Sequence, residues 1–183
     1  MRRTTTLGLA LLAASALAAT CSASAFGHEF VVSKLGKTAA IQLGEQDFTV
    51  SGIGRVDCTE ASGQGEATAL KFLTFKEIIT YSHCNGGDVK VSPVHFEFNG
   101  NGNAIIEKTA AVEEVGAGCE VLLRKQTLEG FEFENSSGKV TMAADVHDLH
   151  SAGTGGICGG EDTEGTYEGT LSISLVGGTI EWK

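Results

Sequence analysis

Basic residues are scarce in this 183-residue chain. Thirteen Lys and Arg residues stand against 23 Asp and Glu residues, which gives a formal net charge of −10. A nucleic-acid interface needs a basic surface to neutralise phosphates, so this composition excludes that class of partner. Proline occurs once, and no Pro-rich or Gly/Ser-rich linker divides the chain. We therefore expect one domain.

Long hydrophobic runs are missing except near the N-terminus. Met1–Arg3 is basic, Leu7–Ala19 is apolar, and Ala23–Ala25 supplies the small residues that a signal peptidase reads. The apolar stretch is too short to span a bilayer as a helix, so the pattern is typical of an export signal. We expect a signal peptide over residues 1–25 and a secreted domain over 26–183, with no transmembrane segment after cleavage.

Cys21 leaves one alternative open. In a lipoprotein the signal ends at a cysteine that becomes acylated, and Cys21 could take that place. The preceding Ala18-Ala19-Thr20 puts Leu17 one position too early for the usual pattern, so we favour plain secretion. His28 and Glu29 would then lie near the mature N-terminus, where we expect the chain to fray.

The Cys-x-x-Cys spacing is also missing from the chain that remains after signal removal. The mature chain keeps Cys58, Cys84, Cys119 and Cys158. Their spacings disfavour a zinc ribbon and a thioredoxin-like motif. Four thiols in an exported protein predict two disulfides, for which three connectivities exist. We favour the sequential pairing Cys58–Cys84 and Cys119–Cys158, with closed loops of roughly 25–40 residues.

Strong helix signals are also lacking. Alternation of apolar and polar residues recurs after residue 38, and this period of two predicts strands. Val94–Phe98 alternates in this way, Asn99–Asn103 predicts a hairpin turn, and Ala104–Val112 is the expected return strand. Helix formers occur in Ala67–Ile79, but its β-branched and aromatic residues suit a strand equally well. We predict an all-β fold: a single-domain antiparallel β-sandwich or barrel with two disulfides.

Catalytic and cofactor signatures are absent from the sequence. It contains no Gly-x-Ser-x-Gly elbow and no Ser-x-x-Lys, and its glycines follow neither the Walker nor the dinucleotide spacing. Aromatic residues of the kind that form a sugar platform are few, with one Trp and two Tyr. We therefore expect no cofactor and favour a protein that is not an enzyme.

One segment carries residues that could bind a metal ion. Asp145, His147, Asp148 and His150 combine imidazole with carboxylate, which suits zinc or copper. On a regular strand, however, His147 and His150 would point to opposite faces. They could converge only if the strand ended near Asp148 and the next loop folded back. We therefore expect no metal site, but a strand end that runs into the loop Ser151–Gly156.

Short motifs around the cysteines give a resemblance. They are Val56-Asp57-Cys58, Tyr81-Ser82-His83-Cys84, Gly118-Cys119-Glu120-Val121, and Ile157-Cys158 before Gly165-Thr166-Tyr167-Glu168-Gly169. Together with the export signal, they resemble the small secreted β-rich proteins of unknown function found in soil actinobacteria. The resemblance implies no activity and no catalytic residue. It supports the structural role of Cys58–Cys84 and Cys119–Cys158.

Two functional hypotheses follow. The first is a non-enzymatic extracellular β-domain that binds a protein, a glycan or an envelope component. Binding would use a sheet face or the loops Asn99–Asn103 and Ser151–Asp162. The alternative is a secreted hydrolase or metal-dependent enzyme that uses the group Asp145, His147, Asp148 and His150.

Overall fold

The structure is a computed structural model that describes residues 28–154, Cys158 and 160–183. The expected signal peptide over residues 1–25 and the alternative acylation site Cys21 lie outside the described residues. The all-β expectation is confirmed, since the described chain forms antiparallel sheets with one short 3₁₀ turn at Asn85–Gly87. The strands are β1 Phe30–Val32, β2 Gly36–Gln42, β3 Gln46–Val50, β4 Gly54–Ala67, β5 Lys71–Phe72, β6 Thr74–Cys84, β7 Val89–Val91, β8 Val94–Asn99, β9 Asn103–Ile106, β10 Ala110–Glu114, β11 Cys119–Leu123, β12 Gln126–Glu129, β13 Phe131–Ser136, β14 Lys139–Thr154, β15 Gly160–Leu175 and β16 Ile180–Trp182.

The strand pairings of the larger sheet form a closed ring. One edge of β4 pairs with β6, and β6 pairs in turn with β7 and β8. β8 pairs with β9, and β9 pairs with β12. β7 pairs with β10, β10 pairs with β11, and β11 pairs with β14. β14 pairs with β15, which returns to β4 through β2 and β3. Successive positions in the ring are therefore filled in the order of the chain, as in an up-and-down arrangement.

Several positions in this ring are shared by successive short strands. β7 with β8 and β9 with β10 form two adjacent positions, because β7 pairs with β10 and β8 with β9. The expected return strand Ala104–Val112 is therefore wrong as one element, since it breaks between β9 and β10. On the neighbouring position the break falls at Ser92-Pro93, where the proline has no amide hydrogen for the ladder.

Side chains that alternate inward along the strands fill the ring. They form one hydrophobic cluster that includes Phe48, Phe96, Phe98, Tyr167 and Leu171. Burial of this apolar surface is the main favourable contribution to folding. The expected helix alternative for Ala67–Ile79 does not occur, because the segment holds the last residue of β4, the short β5 and the beginning of β6.

A second sheet of three strands packs on the ring. β1 is its middle strand, between β16 and β5. Phe30 on β1 is fully buried, and its ring lies 5.2 Å from that of Phe133 and 5.8 Å from that of Phe75. The expected fraying at His28 and Glu29 is wrong: Glu29 N–H donates to Lys183 O at 2.6 Å, and His28 stacks on Trp182 at 4.1 Å.

Both disulfides form as the sequence predicts. Cys58–Cys84 joins β4 to β6, where the two residues lie directly opposite each other. Cys119–Cys158 joins β11 to the chain just before β15. All four cysteines are buried. Among the described residues, no helix is long and apolar enough to cross a membrane.

Candidate functional site

The candidate metal-binding residues lie within β14 and not at its end. The expected strand end near Asp148 is wrong, because β14 continues to Thr154 and pairs with both β11 and β15. The predicted loop over Ser151–Gly156 is likewise replaced by strand as far as Thr154. Residues 155–157 lie outside the described residues.

A β-bulge explains where these side chains point. The register of β14 against β15 shifts between Val146 and Leu149, and Asp148 has a positive φ of 60°. The bulge adds one residue to the strand, so His147 and His150 are both exposed while Val146 and Leu149 are both buried. The expectation that the two histidines face opposite sides is therefore wrong.

The bulge does not assemble a metal site. Asp145 Oδ1 lies 3.3 Å from His147 Nε2, and both side chains are more than two-thirds exposed. His150 is held through its backbone, which hydrogen-bonds to the side chain of Gln126. Within the described part of the chain, no three His, Cys, Asp or Glu side chains are grouped so that they could hold a metal ion.

Asp145 instead begins a row of four acids across neighbouring strands. It lies opposite Glu168 on β15, which lies opposite Asp47 on β3, which lies opposite Asp57 on β4. Like charges directly opposite each other destabilise a sheet. Arg55 offsets part of this repulsion, since it binds Asp47 at 3.1 Å and Asp57 at 2.5 Å.

The carboxyl groups of Asp47 and Asp57 have divergent pKa values. Burial and the hydrogen bond with Asp57 raise the pKa of Asp47 to about 6, although Arg55 opposes the shift. The pKa of Asp57 is lowered, chiefly because its carboxylate accepts hydrogen bonds from Asp47 and Arg55. At mildly acidic pH the two acids therefore share a proton beside one arginine.

A different surface runs over the outer side of β15, β2, β4 and β6. Ile41 on β2 lies between Ser172 on β15 and Ser62 on β4, and Ser62 lies opposite Thr80 on β6. A parallel row contains Ser174, Ala39, Gln64 and Ile78. We call these eight outward side chains the neutral face: Ala39, Ile41, Ser62, Gln64, Ile78, Thr80, Ser172 and Ser174.

The neutral face combines exposed aliphatic groups with small polar ones. Ile41 is 56% exposed and Ile78 is 42% exposed, and Leu43, just beyond β2, is 61% exposed. A groove of about 670 Å³ runs beside Ile41 and Leu43, and a second of about 550 Å³ runs beside Gln64 and Ile78. No member of the face is charged, although charged side chains such as Glu60 and Lys76 line the two grooves beside it.

Glu77 lies beneath the second groove. Its side chain follows the inward phase of β6, between the buried Phe75 and Ile79, and is 1% exposed. Burial raises the pKa of this carboxyl from 4.5 to about 7, and the neighbouring Thr38 hydroxyl opposes part of the rise without forming a hydrogen bond of normal geometry.

Three other polar side chains at the centre of the ring form a chain of hydrogen bonds. Tyr81 Oη donates to Tyr167 Oη at 3.2 Å, and Tyr167 Oη donates to Gln46 Oε1 at 2.7 Å. The amide of Gln46 then donates to Thr170 O at 3.1 Å. Burial raises the pKa of both tyrosines, so this chain stays neutral and serves packing.

The predicted binding loop Asn99–Asn103 is a tight hairpin turn between β8 and β9. The Oδ1 atom of Asn99 accepts hydrogen bonds from the backbone of Asn101 and Asn103. A Cβ on Gly100 would lie 1.5 Å from His28 O, so this turn packs tightly against the N-terminal segment. The turn is therefore largely occupied by its own contacts.

Sequence reasoning missed the neutral face and Glu77. A signal for Glu77 was present, because it occupies the apolar phase of the alternation Phe75, Glu77, Ile79 and Tyr81. The neutral face had no such signal, because its members come from four strands whose register the sequence does not state.

No protein-family model, curated protein or solved structure matches this chain. The resemblance to small secreted proteins of soil actinobacteria stays a prediction.

Proposed function

We propose that this chain is exported and acts as a non-enzymatic binding domain, which holds another extracellular protein through the neutral face. The observation that carries the proposal is that exposed Ile41 on β2 and exposed Ile78 on β6 lie in neighbouring rows of one sheet face, with only uncharged side chains of β4 between them. Exposed aliphatic groups rimmed by polar residues are typical of a surface that a partner covers.

The chemistry of the face favours a protein over a glycan. Sugar rings stack best on exposed aromatic side chains. Both tyrosines, Tyr81 and Tyr167, are buried, and Trp182 is engaged with His28. Ile41, Leu43 and Ile78 instead offer aliphatic surface, which packs well against the apolar side chains of another protein.

The distribution of charge on this chain indicates what kind of partner surface could bind to the neutral face. The acidic row Asp145, Glu168, Asp47 and Asp57 crosses β14, β15, β3 and β4, whereas the neutral face crosses β15, β2, β4 and β6. Desolvating an uncharged face avoids the cost of burying ions. The partner surface should therefore be uncharged and apolar at its centre.

Export is supported by the disulfides and by the N-terminal sequence pattern. Disulfides persist in oxidising compartments and are rare in the cytosol. Cys58–Cys84 and Cys119–Cys158 are both buried within the fold. The enzymatic alternative receives no such support, because Asp145 and His147 contact each other without gathering Asp148 or His150 into a common site.

Site-specific photo-crosslinking in cells that produce the protein tests the proposal. A photoreactive side chain is placed at Ile41, at Ile78 or, as a control, at Val115, which is 46% exposed and outside the neutral face. We expect a protein adduct of the same mass from positions 41 and 78 and none from position 115. Adding Ile41→Lys should remove the adduct that forms at position 78.

Two outcomes contradict the proposal. Equal adducts from all three positions would mean that contact is non-specific. No adduct from position 41 or 78, with the protein secreted and folded, would mean that no protein covers the face.

A further inference from the structure

Glu77 is the single charged side chain that the described part of the ring buries. The other buried polar residues are Thr38, Gln46 and Ser151, all of them uncharged. An ionised carboxylate in such surroundings is strongly disfavoured unless a cation or several hydrogen-bond donors stabilise it.

The carboxyl of Glu77 lies where three strands come close together. A Cβ on Gly65 of β4 would lie 2.7 Å from Glu77 Oε2, 2.8 Å from Thr38 Oγ1 and 2.1 Å from Lys76 O. Gly65 pairs with Thr38 on β2 and with Glu77 on β6. We call this point, defined by Thr38, Gly65 and Glu77, the glycine seam.

Among the described residues, no charged side chain pairs with Glu77 at the glycine seam. Neither carboxyl oxygen of Glu77 has a hydrogen-bond partner there, and neither has Thr38 Oγ1. The cations and acids on the adjoining strands alternate outward: Lys37 on β2, Glu66 on β4, Lys76 on β6, and His95 and Glu97 on β8. Lys76 is bound to Glu97 and Glu107 on the outer surface. From β8, Phe96 lies opposite Glu77.

The glycine seam also lies directly under the surface. Thr38, Gly65 and Glu77 contribute to the floor of the 550 Å³ groove beside Ile78. Although Glu77 is only 1% exposed, it therefore lies next to a groove that solvent enters.

We propose that Glu77 is a pH-sensitive latch: its protonated carboxyl keeps the glycine seam closed, and loss of the proton lets water in and loosens β2, β4 and β6 beneath the neutral face. The latch concerns the strands that carry the proposed binding surface, but it does not depend on any partner. It allows the surface to be rigid in acidic surroundings and mobile in neutral ones.

The raised pKa of Glu77, about 7 against 4.5 for an ordinary glutamate, agrees with this geometry. When the folded state holds the proton more tightly than the unfolded state, the stabilisation is complete below pH 4.5 and is lost as the pH rises through 7. Across that window the shift corresponds to a loss of about 300-fold in the folding equilibrium constant.

Urea unfolding and amide hydrogen exchange of the full mature protein, below pH 4.5 and above pH 7, test the latch. Wild type should lose about 300-fold in the folding constant relative to Glu77→Gln, which has no proton to lose. Exchange, corrected for its intrinsic pH dependence, should accelerate in β2, β4 and β6 of wild type and not of the variant. Asp47→Asn is the control for the other acid with a raised pKa, which is about 6. This variant should still show the loss in folding constant and the faster exchange in β2, β4 and β6.

The proposal is overturned if wild type and Glu77→Gln share the same pH profile, or if exchange accelerates equally in all strands. Should Glu77→Gln fail to fold, the carboxyl ¹³C resonance of Glu77 in wild type decides. A titration midpoint near 7 supports the latch, and one near 4.5 contradicts it.

Discussion

The side chain of Gln126 makes two hydrogen bonds to the backbone of His150. Its Nε2 donates to His150 O at 2.8 Å, and its Oε1 accepts from His150 N at 2.8 Å. These bonds form beside the bulge at Asp148, where β14 loses its regular register. The amide of Gln126 therefore replaces a backbone partner and holds β12 to β14, which helps to close the ring.

Gln126→Ala should destabilise the protein by about 0.5–1.5 kcal/mol, because His150 N–H loses its partner and His150 O keeps only the longer bond from Arg124 N–H at 3.5 Å. The free energy of unfolding in urea measures the loss. Lys125→Ala, an exposed change next to it, should alter that free energy by less than about 0.5 kcal/mol. Equal effects of the two substitutions would show that the Gln126 bonds do not stabilise the ring.

Gly65→Ala should be strongly destabilising, because the added Cβ would lie 2.1 Å from Lys76 O. We expect a loss of at least about 2 kcal/mol, since backbone on β6 must move to make room. Gly44→Ala is the matched control, because a Cβ there meets nothing within 4 Å. Thermal unfolding of both variants compares them. A Gly65→Ala protein as stable as wild type would contradict the close approach of β4 and β6.

Replacing Cys58 and Cys84 together by alanine should cost about 3–4 kcal/mol, because the unfolded chain regains the freedom of a 26-residue separation. The same replacement at Cys119 and Cys158 should cost slightly more, since their separation is 39 residues. Urea midpoints of the two variants measure both effects. Unchanged midpoints would mean that neither bond restricts the unfolded chain.

Asp47→Asn should stabilise the protein at neutral pH, because it removes a charge that lies opposite both Asp57 and Glu168. The pKa of Asp47 is raised from 3.8 to about 6, so its protonation stabilises the fold below 3.8 and this benefit is lost as the pH rises through 6. The variant should flatten that part of the stability profile. Glu132→Gln, an exposed change on β13, should leave the dependence of the unfolding free energy on pH as it is in wild type. If Glu132→Gln flattened that dependence as much as Asp47→Asn, a specific role for Asp47 would be contradicted.

Much of the fold follows from local sequence patterns. The alternation of apolar and polar residues predicts the strands. The Asn and Gly residues of Asn99–Asn103 predict a hairpin turn, because both residue types tolerate positive φ. The export context also predicts that the four remaining cysteines form two disulfides. These features depend on short segments whose own chemistry decides the outcome.

The remaining features depend on register and on tertiary contacts. The bulge at Asp148 changes which way His147 and His150 point, and a single residue in positive φ is not visible in the pattern. The neutral face arises only when β15, β2, β4 and β6 align Ile41 with Ser62 and Gln64 with Ile78. His28 and Glu29 are ordered because the C-terminal strand lies beside them.

We propose that this chain is exported and that two buried disulfides hold its strand ring together. Mass spectrometry of protein recovered from the medium, with non-reducing peptide maps, tests it most directly. We expect an N-terminus at Phe26, a mass lower by two hydrogens for each bond, and peptides linked Cys58 to Cys84 and Cys119 to Cys158. Free thiols, crossed pairs or a protein retained in the cytosol would contradict it.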